Sequence, residues 1–108
     1  MLEARFEERR GALLVTPLAA LDAEAAPELR RVVGERASGR SLVVVSLAQV
    51  REVDSSGLAG LLAVLKRMAP GGELRLAAVP PRTRDILMAT HLDEVFPQFE
   101  DAAAALRR

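Results

Sequence analysis

The chain has 108 residues, half of them hydrophobic, so it is long enough to bury one compact core and too short for two. Its 15 lysines and arginines are balanced by 15 aspartates and glutamates, so no net positive charge favours binding to nucleic acid or to an anionic membrane surface. The absence of cysteine excludes disulfide-stapled scaffolds, thiolate chemistry and thiolate metal sites. We therefore expect a single domain over residues 1–108.

Membrane insertion is not expected from the sequence. No apolar run approaches the roughly 20 residues that a membrane-spanning helix needs. Residues 1–11 carry charges among their apolar side chains and lack the uninterrupted apolar core of a signal peptide. We expect a cytoplasmic protein whose mature chain begins here.

The first predicted elements are two short antiparallel strands. Residues 4–8 and 12–16 are partly apolar, and they are separated by Arg9-Arg10-Gly11, in which the glycine suits a tight turn. This pattern predicts a β-hairpin at the start of the chain.

A helix is predicted next, over residues 22–37. The composition changes to helix formers, and Leu29 and Val33 are spaced so that they share one face. Pro27 would break a helix interior. The first four amides of a helix lack intrahelical acceptors, however, so a helix that begins near Glu24 tolerates it.

The central part of the chain predicts a strand, a helix and a further strand. Residues 42–45 form an apolar, mostly β-branched run without polar alternation, which is typical of a strand covered on both faces. Residues 54–68 have helical periodicity and end before Pro70. Residues 73–79 begin with charged residues that alternate with leucines, which predicts another strand.

Three shorter elements complete the chain. A third helix is predicted from Pro80-Pro81 to about Thr90, a short strand at Val95-Phe96, and an alanine-rich helix over residues 100–106. The whole order predicts an α/β domain. Its mixed sheet has about five strands, an N-terminal antiparallel hairpin followed by parallel strands, with about four helices packed on it.

The segment Asp54-Ser55-Ser56-Gly57 would lie just beyond the carboxyl end of the central strand, where open α/β sheets usually carry their sites. Asp and Ser are preferred helix N-caps, because a side-chain oxygen accepts a free amide of the first turn. Neither serine has the Glu or Gln three residues later that a capping box needs. Capping therefore explains one residue of this segment and not three.

A catalytic interpretation of the segment finds little support. A nucleophilic serine needs a base and an oxyanion site. The single histidine, His91, follows Ser55 by about 36 residues, and neither serine lies in a Gly-x-Ser-x-Gly elbow. One histidine and scattered carboxylates give no recognisable metal-ligand spacing. We expect no enzyme activity, no metal and no cofactor.

Phosphorylation is a third possible use of the segment. A phosphate on a serine at a helix N-terminus adds roughly −1.5 to −2 charges where free amides and the helix dipole accept them. The fold would survive this change. A partner suited to a neutral hydroxyl would meet repulsion and a desolvation cost, so the modification would control binding.

The helix that follows Ser55 has one leucine-rich face and one face of small residues. Leucines at helical spacing, which should face the core, are Leu58, Leu61, Leu62 and Leu65. The opposite face presents Ser56, Ala59, Gly60, Ala63 and Arg67. Gly60 costs roughly 1 kcal/mol of helix propensity relative to alanine, and nothing in the local sequence compensates for it. Either a partner docks on this flat surface, or a small protein tolerates alanine and glycine outside.

These residues resemble a known family, the sulfate transporter and anti-sigma factor antagonist (STAS) domain, and within it the small stand-alone anti-sigma factor antagonists. The resemblance covers nearly the whole chain. It is carried by Leu21-Asp22, the strand at 42–45, Asp54-Ser55-Ser56-Gly57-Leu58, Gly71-Gly72-Glu73-Leu74 and Leu92-Asp93-Glu94-Val95-Phe96.

The resemblance implies that Ser55 is phosphorylated by an anti-sigma factor that is also a serine kinase, with Asp54, Ser56 and Gly57 supporting the site. ATP and magnesium would belong to the kinase. The unphosphorylated form would bind the anti-sigma factor and release a sigma factor, and a phosphatase would restore binding after phosphorylation. Partner contacts would come from Asp22, Ser56, Ala59, Gly60 and Ala63. The alternative is a non-switching interaction subunit of a lipid transporter or of a stress-signalling scaffold.

Overall fold

A five-stranded mixed sheet forms the centre of the protein. The structure, a computed structural model, describes residues 2–107. The strands are β1 (Ala4–Arg9), β2 (Ala12–Pro17), β3 (Leu42–Ser46), β4 (Glu73–Ala77) and β5 (Gln98–Phe99). They lie side by side in chain order, with β1 and β2 antiparallel and every later pair parallel. The predicted α/β class and sheet organisation are confirmed.

The opening hairpin has the backbone that a two-residue turn requires. Arg9 pairs with Ala12 across Arg10 and Gly11, whose φ angles are 53° and 81°. Positive φ at both central residues matches the right-handed twist of the flanking strands. Glycine adopts this conformation without a steric penalty, which explains its place in the turn.

Helical segments follow β2, β3, β4 and β5 along the chain. The first helical segment consists of α1 (Ala26–Glu28), a wider π-helical turn (Leu29–Val33) and α2 (Gly34–Ala37). The later helices are α3 (Ser55–Arg67), α4 (Pro81–Ala89) and α5 (Ala102–Ala105), and a 3₁₀ turn (Leu92–Glu94) follows α4. Within the described residues, no helix is long and apolar enough to cross a membrane.

Two helix starts differ from the sequence-based prediction, and both differences come from an aspartate. Asp22 does not begin the first helix, because its side chain accepts hydrogen bonds from the amides of Glu24 and Ala25 and so holds a turn before Ala26. Asp101 caps α5 by accepting from the amide of Ala104 at 2.8 Å, which places the start of that helix at Ala102.

The final strand also lies later than predicted. Val95 and Phe96 donate their amides to the carbonyl oxygen of Leu92, so they complete a helical turn instead of pairing with β4. The strand forms at Gln98–Phe99, and the fully buried side chain of Phe96 anchors the preceding turn in the core.

The sheet is covered on both faces near its centre. Every residue of β3 is buried, as predicted from its unbroken apolar run. Val43 and Val45 face the larger core, which includes residues of α3, and Leu42 and Val44 face a smaller core, which includes Ala105. The sheet thus holds the segment that follows β3 on a rigid base.

Candidate functional site

Asp54 is the N-cap of α3. Its backbone is extended, with φ −101° and ψ −175°, and its Oδ1 atom accepts a hydrogen bond from the amide of Gly57 at 3.0 Å. The sequence left open which residue of the segment caps the helix. The structure assigns that role to the acid and leaves the two serines available for another.

The hydroxyl groups of Ser55 and Ser56 take no part in this cap. Ser55 is exposed and Ser56 is half-buried. Neither hydroxyl makes a hydrogen bond within the part of the chain that the structure describes. The first two residues of α3 therefore present free hydroxyls beside an aspartate already engaged in holding the helix.

Gly57 allows α3 to begin against the loop that follows β2. A Cβ atom at Gly57 would lie 2.1 Å from the carbonyl oxygen of Leu21, which is backbone and cannot turn aside. Two further contacts tie the same segments together. The amide of Asp54 donates to Leu21 O at 3.1 Å, and the amide of Leu21 donates to Glu52 O at 2.9 Å. Packing against Leu21 thus explains why a glycine stands at position 57, and its predicted support of the phosphorylation site stays a prediction.

Asp22 follows Leu21 and so lies near the start of α3. Its Oδ1 atom accepts from the amides of Glu24 and Ala25, both at 3.1 Å. The fold therefore brings Asp22 and Asp54 to the same end of the molecule, Asp22 in the turn before α1 and Asp54 as the N-cap of α3. The role predicted for Asp22 as a partner contact remains a prediction.

The prediction that Gly60 lies on an outward-facing surface is wrong. Gly60 is buried, and a Cβ there would lie 2.7 Å from Cδ2 of Leu29 in the π-helical turn. The close approach of two helices explains this glycine without an external partner. Ser56, Ala59 and Ala63 are partly exposed, and they remain on the predicted contact surface.

The leucine stripe of α3 also differs in detail from its prediction. Leu58 and Leu61 are buried as expected, but Leu62 and Leu65 are only partly buried, and Val64 belongs to the core instead. The buried arc is rotated because α3 packs against the first helical segment as well as against the core residues of the sheet, such as Val43 and Val45.

A cleft of about 500 Å³ lies between the first helical segment and the start of α3. Its lining residues are Ala23, Ala26, Pro27, Arg30, Ser55, Ser56 and Ala59. Arg30 is the only charged residue among these described lining residues. The sequence pattern alone does not single out Arg30. Arg30 follows Ala26 by four residues and Pro27 by three, which places all three on one face of a helix, but the sequence does not show what that face contacts.

His91 lies in the turn after α4, and its side chain is exposed. The backbone there has φ 61°, and Nδ1 lies 3.4 Å from a carboxylate oxygen of Glu94. Within residues 2–107, no group of three or more metal-ligating side chains is placed to hold an ion.

Comparison with protein families matches the STAS domain over residues 3–105. Among solved structures, the chain is similar to an anti-sigma factor antagonist from Mycobacterium paratuberculosis, with 25% sequence identity and a TM-score of 0.86, covering 98% of this chain and 92% of that one. It is also similar to an anti-sigma-factor antagonist (STAS) domain protein from Planctomyces limnophilus, with 21% identity and a TM-score of 0.85, covering 98% and 96%.

The fold is further shared with a protein solved in a phosphorylated form. This is the Bacillus cell fate determinant SpoIIAA, which has 15% identity to the chain and a TM-score of 0.67, with coverage of 94% of this chain and 96% of that one. No curated protein sequence matches the chain.

Proposed function

The chain belongs to the STAS domain family, and from this premise we propose that it is an anti-sigma factor antagonist whose binding is switched off by phosphorylation of Ser55. In this function the unphosphorylated chain binds an anti-sigma factor that is also a serine kinase, and so releases a sigma factor for transcription. The kinase transfers the terminal phosphoryl group of ATP to Ser55 Oγ, which loses its proton. A phosphatase removes the group again. The chain acts in the bacterial cytoplasm and supplies no catalytic residue.

The observation that carries this proposal is the division of roles between Asp54 and Ser55. Asp54 caps α3 through the amide of Gly57, while the hydroxyl of Ser55 is exposed and unbonded within the described residues. A phosphate on Ser55 therefore removes no hydrogen bond that holds the helix. The added charge lies at the N-terminal end of α3, where the helix dipole favours it.

The effect on a partner follows from the surroundings of Ser55. Ser56, Ala59 and Ala63 have small, uncharged side chains that are partly exposed, and we propose that they form the contact surface for the kinase, with Asp22 at its edge. A dianion at the rim of that surface would have to lose hydration on binding, and the removal of a charged group from water is costly. Phosphorylation is thus expected to end binding without unfolding the chain.

Two comparisons support this proposal. The Mycobacterium paratuberculosis structure at 25% identity is described as an anti-sigma factor antagonist. SpoIIAA, which shares the fold, is described in a phosphorylated form. The alternative of a constitutive interaction subunit uses the same surface and differs in having no modification at Ser55.

The test is phosphopeptide mapping of the protein purified from its native cells with phosphatase inhibitors present. We expect phosphate on Ser55, with Ser56 as an internal control because it lies on the same peptide. Fragmentation between the two serines distinguishes them. Unmodified Ser55 across growth and stress conditions would contradict the switch and would favour the constitutive subunit.

A further inference from the structure

Arg30 shares a cleft with the serine that we propose as the phosphorylation site. Both residues line the cavity of about 500 Å³ beside the start of α3, together with small side chains such as Ala26 and Ala59. Small neighbours leave the guanidinium free to move within the cleft. An added phosphate on Ser55 would enter a space that already contains a cation.

The two helical segments run in the same direction, which orients Arg30 towards Ser55. Leu29 lies beside Gly60, and further along both segments Gly34 lies beside Arg67, so their N-terminal ends are at the same end of the molecule. A long side chain on a helix leans back towards the N-terminus of that helix. Arg30 therefore leans towards the end at which α3 begins with Ser55.

The backbone around Arg30 is unusual. Residues Leu29–Val33 form a π-helical turn between two α-helical pieces. Such wider turns are rare and occur frequently at functional sites. The π-helical turn also widens the helix where Leu29 packs on Gly60 of α3. The same turn therefore sets the position from which the Arg30 side chain extends.

Arg30 has no competing partner among the residues that the structure describes. Its neighbour Arg31 forms an ion pair with Glu28, at 3.7 Å, but no salt bridge of the described residues includes Arg30. The acids at this end of the molecule are Asp22 and Asp54, which both accept backbone amides, and the exposed Glu24 and Glu52. A phosphate beside these acids needs a nearby cation, and Arg30 is the charged side chain in its cleft.

We propose that Arg30 holds the phosphate of phosphorylated Ser55, as an intramolecular positioning residue for the switch. The guanidinium can donate two parallel hydrogen bonds to phosphate oxygens, a geometry that a lysine ammonium does not reproduce. The pair fixes the dianion over the cleft, at the edge of the surface formed by Ser56 and Ala59. This inference rests on the proposed modification of Ser55 and adds to it a second residue, Arg30, that binds the phosphate.

The experiment places phosphoserine at position 55 during protein synthesis, by expansion of the genetic code, so no kinase is needed. The second pKa of that phosphate is then measured by ³¹P NMR at about 0.15 M salt, where charges farther away than roughly 8 Å are largely screened. Four proteins are compared: the parent sequence, Arg30→Gln, Arg30→Lys and Arg31→Gln. The Arg31→Gln control removes the same charge from the adjacent position.

Arg30→Gln is expected to raise the phosphate pKa by roughly 0.5 unit or more, because a close cation stabilises the dianion. Arg31→Gln should leave the value unchanged, and Arg30→Lys should restore part of the shift. A further readout is the Arg30 Nε–H signal, which should shift on phosphorylation only where the guanidinium is bonded. Circular dichroism of each variant checks that the exposed substitutions leave the fold intact.

The proposal is overturned when Arg30→Gln and Arg31→Gln give the same phosphate pKa, since the charge would then act only at a distance. This outcome leaves the proposed function standing, because it says nothing of whether cells phosphorylate Ser55. Conversely, a native protein without phosphate contradicts the proposed function and does not alter the titration of the encoded phosphoserine.

Discussion

The amide of Gly57 donates a 3.0 Å hydrogen bond to Oδ1 of Asp54. Through this contact Asp54 caps helix α3, and neither Ser55 nor Ser56 takes part in the cap. The helix start is consequently independent of the chemistry of Ser55. A modification can change the charge of this surface without removing the contact that holds it.

The first prediction is that Asp54→Ala destabilises the protein and Ser55→Ala does not. Loss of an N-cap side chain costs about 1 kcal/mol of unfolding free energy, within a range of roughly 0.5 to 2. Ser55 is exposed and unbonded within the described residues, so its truncation should change stability by less than about 0.5 kcal/mol. Urea denaturation of the two variants measures both values. Equal stability losses would show that Ser55 shares the cap.

The second prediction compares two glycines of α3. Gly57→Ala should cost about 3 kcal/mol or prevent folding, because its Cβ would lie 2.1 Å from the backbone oxygen of Leu21. Gly60→Ala should cost less, since its Cβ would meet Cδ2 of Leu29, a movable side-chain end, and alanine restores roughly 1 kcal/mol of helix propensity. Thermal and urea unfolding give the order. A larger loss for Gly60→Ala would contradict this packing.

The central strand and the start of α3 could be predicted from local sequence, because each depends on neighbouring residues. The unbroken apolar run of β3 requires burial of both faces of the strand whatever its neighbours are. Asp54, the cap residue, immediately precedes the first residue of α3. The burial of Gly60 depends on Leu29, thirty-one residues earlier. Helical periodicity tells which residues share a face but not how many elements pack on the helix. Gly60, which is buried against the first helical segment, was therefore predicted to be exposed.

The C-terminal part of the chain shows the same limit of prediction from local sequence. Val95 and Phe96 have strand-like side chains, but their amides close a turn on Leu92, and strand pairing passes to Gln98–Phe99. Burial of Phe96 in the core outweighs the strand propensity of these two side chains. Arg30 was missed for a related reason, because a cleft between two helices is a property of their packing and has no local signature.

The third prediction concerns the contact surface. Ala59→Arg should lower affinity for the proposed kinase partner at least tenfold, a change of about 1.4 kcal/mol, because a long charged side chain would replace a methyl group between the small side chains of Ser56 and Ala63. Ala89→Arg, at an exposed position of α4, is the matched control and should bind normally. Isothermal titration with the anti-sigma factor kinase that we propose as the partner measures both affinities. Equal affinities for the two variants would remove α3 from the interface.

The fourth prediction isolates charge at position 55. Ser55→Asp should weaken binding to the same kinase at least tenfold, whereas the neutral variants Ser55→Asn and Ser55→Ala should retain binding, because Asp and Asn have nearly the same shape and differ mainly in charge. Ser55→Asp should also unfold at a urea concentration no lower than the parent does, since an acid in the first turn of a helix is favoured by the dipole.

The salt dependence of this difference provides the check. If the loss arises from charge, the affinities of Ser55→Asp and Ser55→Asn should approach one another as salt rises, because exposed charges are screened over roughly 3 Å at 1 M. A titration at low and high salt tests this directly. Equal affinities for Asp and Asn at low salt would mean that the partner does not sense charge at Ser55, and the surface would then act as a constitutive binding face.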